Sequence, residues 1–157
     1  MTLAQLLCMS VISIQLPNSA VACKHMGYLV EQAQKNNVRP RVLVALINEE
    51  SRWKPEAVSR SGACGLTQVL PKYTRPRVSC NELKDPRKSI EVGAKTLAFW
   101  VYEYGRGRYK RGLCGYNGGY RCKKLKSSKR YARRVLKLAK KIENKIKSIK
   151  EDHKLIN

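Results

Sequence analysis

Apolar residues recur at helical spacing along much of this chain, and that periodicity restricts its fold more than any other feature. In residues 88–104 they recur every three or four positions, at Ile90, Ala94, Leu97, Val101 and Tyr104. From residue 128 to about residue 150 one face is apolar and lysines and arginines occupy the rest. The sequence contains no internal repeat and no strong strand alternation. It therefore predicts a mainly helical fold with little or no sheet.

Two more helices are predicted in the first third of the chain, one over residues 24–36 and one over residues 39–53. Pro40 suits a first helical turn, and Pro55 is expected to end the segment. Leu43, Leu46, Ile47 and Glu50 fall at i, i+3, i+4 and i+7, so Glu50 continues the apolar stripe. Glu49 is rotated by roughly a hundred degrees and should lie at the edge of that face or outside it.

Two turn-rich stretches separate these helices. Residues 59–71 contain two glycines and are expected to form a loop or a short irregular strand. Residues 112–119 are expected to form a loop or to open a short helix. At 157 residues the chain fits one domain with a single core.

The charge balance implies a polyanionic partner. The chain has 33 lysines and arginines against 11 acidic residues, a formal net charge of +22. Such a surface is typical of proteins that bind nucleic acid, an anionic membrane or an acidic cell wall. Charge alone does not choose among these three.

The first 22 residues are predicted to be a signal peptide. They contain no charged residue, residues 3–16 are apolar but too short to span a bilayer comfortably, and a small-residue triplet ends at Ala22. The missing Lys or Arg near the start departs from the pattern, and a buried N-terminal helix or an uncleaved anchor is the alternative. We therefore expect an exported protein, periplasmic or extracellular.

The cysteines are expected to form disulfides. Cleavage after Ala22 would remove Cys8 and leave five cysteines. The pairings that close short loops are Cys64 with Cys80 and Cys114 with Cys122, and these two disulfides are expected. Cys23 would then be left over, at the position of a lipoprotein cysteine but with Ala20 in place of the usual leucine. The only two histidines lie at opposite ends of the chain, so no zinc site is expected, and no cofactor is expected either.

A carboxylate on a buried helix face can serve as a general acid. Burial penalises the ionised form, which raises the pKa of the carboxyl group and lets it hold a proton near neutral pH. The alternative for Glu50 is a structural ion pair with one of the many basic residues, and the stripe alone favours that alternative.

Motifs that follow Glu50 in the sequence favour the general acid over the structural ion pair. Glu50-Ser51 is followed by Gly-Ala-Cys-Gly-Leu-Thr-Gln-Val at residues 62–69, Gly-Tyr-Asn-Gly-Gly at residues 115–119, and Tyr131-Ala132 with Val135. In order and spacing this series resembles the lytic transglycosylases with the soluble-type catalytic domain, over roughly residues 23–140. The resemblance implies a single lysozyme-like helical domain with a substrate cleft. Residues 23–122 would form the catalytic core, and residues 123–157 a basic amphipathic helix that completes and extends it.

The resemblance also assigns roles near the acid. Glu50 would be the catalytic acid that later serves as base, and Ser51 would orient it or its surroundings. The Tyr116 hydroxyl would contact the Glu50 carboxylate, Asn117 would help to close the cleft, and Tyr131 would stack nearby. The alternatives are a solvent-facing Ser51 and core packing for both tyrosines.

The same resemblance implies sugar subsites lined by Gly65, Thr67 and Gln68. Thr67 stands where methionine is common in the family, which would reshape one subsite. Cys64 is unusual inside this motif, and a bond to Cys80 would staple the cleft loop. An exposed loop position is the alternative for Gln68, and Gly65 is needed for its backbone conformation in either case.

The reaction implied by the resemblance uses a single carboxylate. It cleaves the β-1,4 linkage between N-acetylmuramic acid and N-acetylglucosamine in peptidoglycan and closes a 1,6-anhydro ring. Ordinary glycoside hydrolases need a second carboxylate, and none of the core acids outside Glu49 has an obvious context for that role. A goose-type-lysozyme-like muramidase, whose fold is related, remains the alternative.

Two non-enzymatic alternatives remain open as well: a nucleic-acid-binding protein with residues 106–111 as its contact arm, and a cationic membrane-disrupting protein. The signal peptide and the motif order argue against nucleic acid. The expected partners are glycan strands, with an anionic wall polymer or membrane surface bound by the basic C-terminal helix, and the expected state is a monomer. The sequence leaves open a role in secretion, wall turnover, or a phage virion or lysis system.

Overall fold

A computed structural model describes residues 1–156 and is almost entirely helical. The helices of this part of the chain are α1 (Leu3–Ser13), α2 (Ser19–Lys35), α3 (Pro40–Ser51), α4 (Cys80–Leu83), α5 (Pro86–Phe99), α6 (Tyr109–Gly118) and α7 (Lys126–Ile156). Short 3-10 helices cover Pro71–Tyr73 and Gly119–Lys124, and a π-helical turn covers Trp100–Tyr104. Within these residues the only β pairing consists of two isolated bridges, from Cys64 to Val58 and to Val69. The predicted mainly helical class is confirmed.

Helix α3 lies at the centre of the molecule. Every residue from Val42 to Ile47 is buried, so the helix is enclosed on all sides rather than along one stripe. Helix α7 packs along α3, α6 and α1, and α2 packs against α3 and α5. The apolar face of α7 supplies core residues to the same cluster as α3, including Tyr131, Val135 and Ile142. The basic C-terminal helix therefore completes the core.

Two predicted helix ends differ from the structure. Helix α3 ends at Ser51 instead of Pro55, because Arg52 and Trp53 take left-handed backbone conformations with φ of 50° and 61°. Trp53 is then fully buried. The helix predicted over residues 88–104 is α-helical only as far as Phe99. Residues 112–119, which were expected to form either a loop or the start of a short helix, lie in helix α6 and the turn that follows it.

The N-terminal segment is a helix packed on the rest of the protein. Helix α1 lies against α2 and α7 with Leu7 and Val11 fully buried. A disulfide joins Cys8 to Cys23, so Cys23 has a partner in the intact chain. Ala22 is buried in the first turn of α2, and cleavage after it would have to precede folding. Removal of residues 1–22 stays a prediction.

Both disulfides with short loops are present in the structure. Cys64 is bonded to Cys80, which ties the loop after α3 to the start of α4. Cys114 is bonded to Cys122 and closes the turn after α6. None of the helices within residues 1–156 combines the length and hydrophobicity needed to cross a membrane.

Candidate active site

Glu50 lies in the last turn of α3, where the helix reaches the protein surface. Its side chain is half-buried, and its Oε1 accepts a 2.5 Å hydrogen bond from the hydroxyl of Tyr131 on α7. Burial raises the pKa of Glu50 to about 7, the negative charge of Glu49 adds to the rise, and the Tyr131 hydrogen bond opposes it. Glu50 can therefore hold a proton near neutral pH while remaining within reach of a ligand.

The neighbouring carboxylate points elsewhere. Glu49 accepts a hydrogen bond from Nε of Arg134 at 2.9 Å. Tyr131 and Arg134 are three residues apart on α7 and therefore lie on the same side of that helix. One helix thus holds both carboxylates, one through a hydroxyl group and the other through a guanidinium.

Ser51 connects α3 to the loop that follows. Its buried hydroxyl donates to the backbone carbonyl of Leu66 at 2.8 Å, and it lies 3.2 Å from the carbonyl oxygen of Ile47. The alternative of a solvent-facing serine is wrong. The contact fits a residue that orients the surroundings of Glu50 rather than one that touches a sugar.

Thr67 and Gly65 face the protein interior. The Thr67 side chain is fully buried, and its hydroxyl donates to the backbone carbonyl of Ser89 at 2.9 Å. Gly65 has φ +76°, and a Cβ built there would lie 1.8 Å from the carbonyl oxygen of Leu83. The side-chain positions of Gly65 and Thr67 are therefore covered by α4 and α5, and a role of these two residues in sugar subsites stays a prediction that only their backbone could fulfil.

Gln68 occupies the exposed end of the same loop. Its backbone has φ 51°, and its amide nitrogen donates to the carbonyls of Ala57 at 2.9 Å and Gly65 at 3.0 Å. The side chain is partly exposed. These two bonds hold the loop in shape and keep the amide in a defined orientation; a role in sugar binding stays a prediction.

The tyrosine that contacts the acid differs from the prediction. The Tyr116 hydroxyl donates to the backbone carbonyl of Thr67 at 2.7 Å, so the contact expected with Glu50 is instead made by Tyr131. Burial, followed by the charge of Glu50, raises the pKa of Tyr116. Tyr116 therefore stays a neutral donor that supports the loop beside the acid.

Asn117 lies next to Tyr116 on the exposed side of α6. Its Oδ1 accepts a hydrogen bond from the hydroxyl of Ser128 at 2.9 Å, which joins the end of α6 to the start of α7. Because α7 also carries Tyr131, this bond helps to place the tyrosine that contacts Glu50.

Sequence reasoning missed Ser89 on α5. Its hydroxyl accepts a hydrogen bond from the Thr67 N–H at 3.1 Å, and a Cβ at Gly93 would lie 2.3 Å from the Thr67 side chain. Ser89 and Gly93 are four residues apart, so small residues on one helix face were the available signal for a close approach. Within residues 1–156 no group of three or more His, Cys, Asp or Glu side chains is placed to hold a metal ion.

Comparison with known proteins agrees with this fold. The family model described as the transglycosylase SLT domain matches residues 27–138. The membrane-bound lytic murein transglycosylase F of Pseudomonas putida is 36% identical over 72 residues, which cover 46% of this chain and 15% of that protein. The endo-type membrane-bound lytic murein transglycosylase A of Klebsiella pneumoniae is 37% identical over 71 residues, which cover 39% of this chain and 35% of that protein.

Solved structures show the same helical architecture. An inactive mutant of the lytic transglycosylase Slt from Pseudomonas aeruginosa superposes with a TM-score of 0.72 at 19% identity, covering 89% of this chain and 30% of that one. The 70 kDa soluble lytic transglycosylase of Escherichia coli gives a TM-score of 0.66 at 18% identity, covering 88% of this chain and 29% of that one. The fold is therefore that of a lysozyme-like transglycosylase domain. The family model matches more than half of this chain, and the chain therefore belongs to the transglycosylase SLT domain family.

Proposed function

We propose that this protein is a peptidoglycan lytic transglycosylase with Glu50 as its acid and then its base. The observation that carries the proposal is a half-buried carboxyl group whose pKa is raised to about 7, mainly by burial, at the surface end of a buried helix. A group with that pKa is protonated often enough near neutral pH to donate and can then accept a proton back.

The reaction balances with one carboxyl group. Protonated Glu50 gives its proton to the oxygen that joins N-acetylmuramic acid to N-acetylglucosamine, and the bond from C1 to that oxygen breaks. The Glu50 carboxylate then takes the proton of the muramyl 6-hydroxyl while O6 bonds to C1. The products are a 1,6-anhydro end and a free 4-hydroxyl, Glu50 is protonated again, and no water is consumed.

The state of Glu49 favours the lyase over a hydrolase. A second carboxylate acting as nucleophile or as base for water must be free to approach the sugar. Glu49 is the other carboxylate that affects the pKa of Glu50, and it is held in an ion pair with Arg134. Such a pairing suits a site in which Glu50 acts alone.

Clearing of a peptidoglycan-containing gel tests the acid. The native protein should clear the gel and Glu50→Gln should not, whereas Glu49→Gln is the matched control and should retain activity. Equal clearing by native protein and Glu50→Gln would reject the assignment and favour a non-enzymatic cationic effect. Mass analysis of the released sugars should show anhydro ends, each lighter by one water than a reducing end. Exclusively reducing ends would identify a muramidase.

We also infer that the protein works outside the cytoplasm. The disulfides Cys64–Cys80 and Cys114–Cys122, which removal of residues 1–22 would leave intact, suit an oxidising compartment, and the proposed substrate lies there. Removal of residues 1–22 and attachment of the basic α7 to an anionic wall or membrane surface belong to this proposal. N-terminal sequencing of exported protein tests the first, and salt-dependent sedimentation with purified walls tests the second.

A further inference from the structure

Four aromatic side chains form a cluster at the surface where α5 passes into the π-helical turn. The ring centroid of Trp100 lies 5.3 Å from those of Phe99 and Tyr104. Tyr120, from the 3-10 helix after α6, adds a fourth ring 5.1 Å from Trp100. Phe99 is 42% exposed and Tyr120 is 70% exposed. These four residues form the aromatic patch, and α6 supports it, because a Cβ at Gly115 would lie 2.3 Å from the Trp100 ring.

The chain around the aromatic patch is strongly basic. Residues 99–129 contain nine lysines and arginines and a single acidic residue, Glu103. All nine except Arg111 are exposed, and none makes an ion pair with any residue that the structure describes. Arg111 stacks on Tyr104, with its guanidinium carbon 5.0 Å from the ring centroid, and Arg121 directly follows Tyr120. Unpaired positive charge therefore borders the aromatic patch.

Helix α7 carries positive charge without such rings. Its apolar side chains, including Tyr131, Val135 and Ile142, are buried in the core. Among the described side chains of α7, the large apolar one that is exposed is Leu155, near the end of the helix. Attachment through α7 is therefore electrostatic, whereas the aromatic patch combines charge with apolar surface that gains free energy when it leaves water.

The orientation of the rings favours a lipid surface over a sugar or a nucleic-acid base. Sugars and bases stack on an open ring face. Trp100 meets Phe99 and Tyr104 nearly edge to face, at interplanar angles of 79° and 78°, so the rings do not form a flat platform. At a bilayer surface, aromatic rings lie at the level of the headgroups, and lysines and arginines attract anionic lipids. The chemistry of the aromatic patch and its surroundings matches that surface.

We propose that the aromatic patch docks this domain on the surface of an anionic lipid bilayer. Phe99 and Tyr120 enter the headgroup region, and the neighbouring lysines and arginines contact lipid phosphates. Gly115, which packs on Trp100, directly precedes Tyr116 of the candidate active site, so docking fixes the distance of that site from the bilayer. The docking surface lies outside residues 1–22 and does not depend on cleavage by Glu50.

Sedimentation with vesicles tests the proposal. Native protein should bind vesicles of equal parts phosphatidylcholine and phosphatidylglycerol, and should bind pure phosphatidylcholine about tenfold more weakly or less. Phe99→Ser/Tyr120→Ser should weaken binding to the anionic vesicles about tenfold, the size expected when two partly exposed rings no longer leave water. Tyr73→Ser/Leu155→Ser is the matched control, because it removes exposed apolar side chains from other elements, and it should bind as native protein does. Circular dichroism should show both double variants to be folded.

Fluorescence quenching measures contact with lipid directly. The two tryptophans of the chain are Trp53, which is fully buried in the core, and Trp100 in the aromatic patch. Lipids brominated near the headgroup end of the acyl chains should quench part of the emission of bound native protein. Trp100→Phe keeps a ring at this position, so it should remain bound and lose the quenching.

Other outcomes overturn the docking surface. Equal binding by native protein and Phe99→Ser/Tyr120→Ser would leave only an electrostatic contact such as that of α7, and an equal loss in Tyr73→Ser/Leu155→Ser would mean that the effect is not local. Absence of quenching in the bound protein, or binding to a wall polymer or nucleic acid without binding to anionic vesicles, would also reject it. Docking by a protein that cleaves no peptidoglycan would reject the proposed function alone, and cleavage without docking would reject the docking surface alone.

Discussion

The hydroxyl of Tyr131 donates a hydrogen bond to Oε1 of Glu50 at 2.5 Å, across 81 positions of the sequence. A donor to the ionised form stabilises that form, so the bond holds the pKa of Glu50 lower than burial alone would. Burial thus raises the pKa of Glu50, and the Tyr131 hydroxyl limits that rise.

Tyr131→Phe should move the pH profile of activity to higher pH. The first proton transfer needs protonated Glu50, so activity of the native protein should fall as pH rises through about 7. Loss of the hydroxyl removes a bond that favours the carboxylate, which raises the pKa and shifts this fall upward by about one unit. The measurement is kcat/KM against pH. Tyr116→Phe is the control, because its hydroxyl donates to the Thr67 carbonyl and the midpoint should stay in place. A lower or unchanged midpoint for Tyr131→Phe would contradict the assignment.

Glu50→Gln should stabilise the protein at alkaline pH. The folded-state pKa is raised from 4.5 to about 7, so folded protein retains a proton that the unfolded chain releases, and native stability falls as pH rises through that window. The amide does not titrate, so the variant should gain up to about 3 kcal/mol over native protein at pH 8 relative to the difference at pH 4. Urea unfolding at both pH values measures it. Glu49→Gln should show a smaller gain, because the Glu49 charge is a lesser cause of the raised Glu50 pKa than burial and the substitution also removes the pair with Arg134. A pH-independent difference for Glu50→Gln would mean that its folded-state pKa is ordinary.

Ser51→Ala should destabilise the protein and loosen the loop beside Glu50. The substitution leaves the Leu66 carbonyl without the hydrogen bond that Ser51 donates, at a cost of about 1–3 kcal/mol. Activity should fall at pH 6 as well, where Glu50 is largely protonated, because the defect is one of position. Urea unfolding and turnover at pH 6 check both effects, with the exposed Ser127→Ala as control. Full stability would show that the contact contributes little.

Gly65→Ala should be more damaging than Gly62→Ala. Both glycines have positive φ, +76° and +86°, so each substitution costs about 1–2 kcal/mol in backbone strain. A Cβ at Gly62 meets nothing within 4 Å, whereas at Gly65 it would lie 1.8 Å from the backbone oxygen of Leu83. The difference in unfolding free energy between the variants isolates the close approach of this loop to α4. Equal losses would mean that strain is the whole effect.

Local periodicity was sufficient for several correct predictions. The mainly helical class and the turning of Glu49 away from Glu50 follow from helical spacing, which needs no tertiary information. The resemblance to the transglycosylase family rested on motifs in the chain and is confirmed by the matched family model. Helix ends were less predictable, because left-handed residues such as Arg52 and Trp53 stop α3 before Pro55.

Directions of side chains in the loop could not be read from the sequence. Thr67 and Gln68 are adjacent in a motif, yet the Thr67 side chain is buried against Ser89 and the Gln68 side chain is partly exposed. Positive φ at Gly65 and Gln68 turns the chain between them, and a turn of that kind has no fixed side-chain periodicity.

The sequence by itself determined that a carboxylate continues the apolar stripe of a helix and is followed by turn-rich motifs, because those features depend on neighbours along the chain. Only the tertiary structure decided that Tyr131 rather than Tyr116 contacts Glu50, and that Arg134 pairs with Glu49. Those contacts depend on how α7 packs across α3, and residues more than 80 positions apart are brought together by burial of both helix faces in one core. The raised pKa of Glu50 is a consequence of that packing.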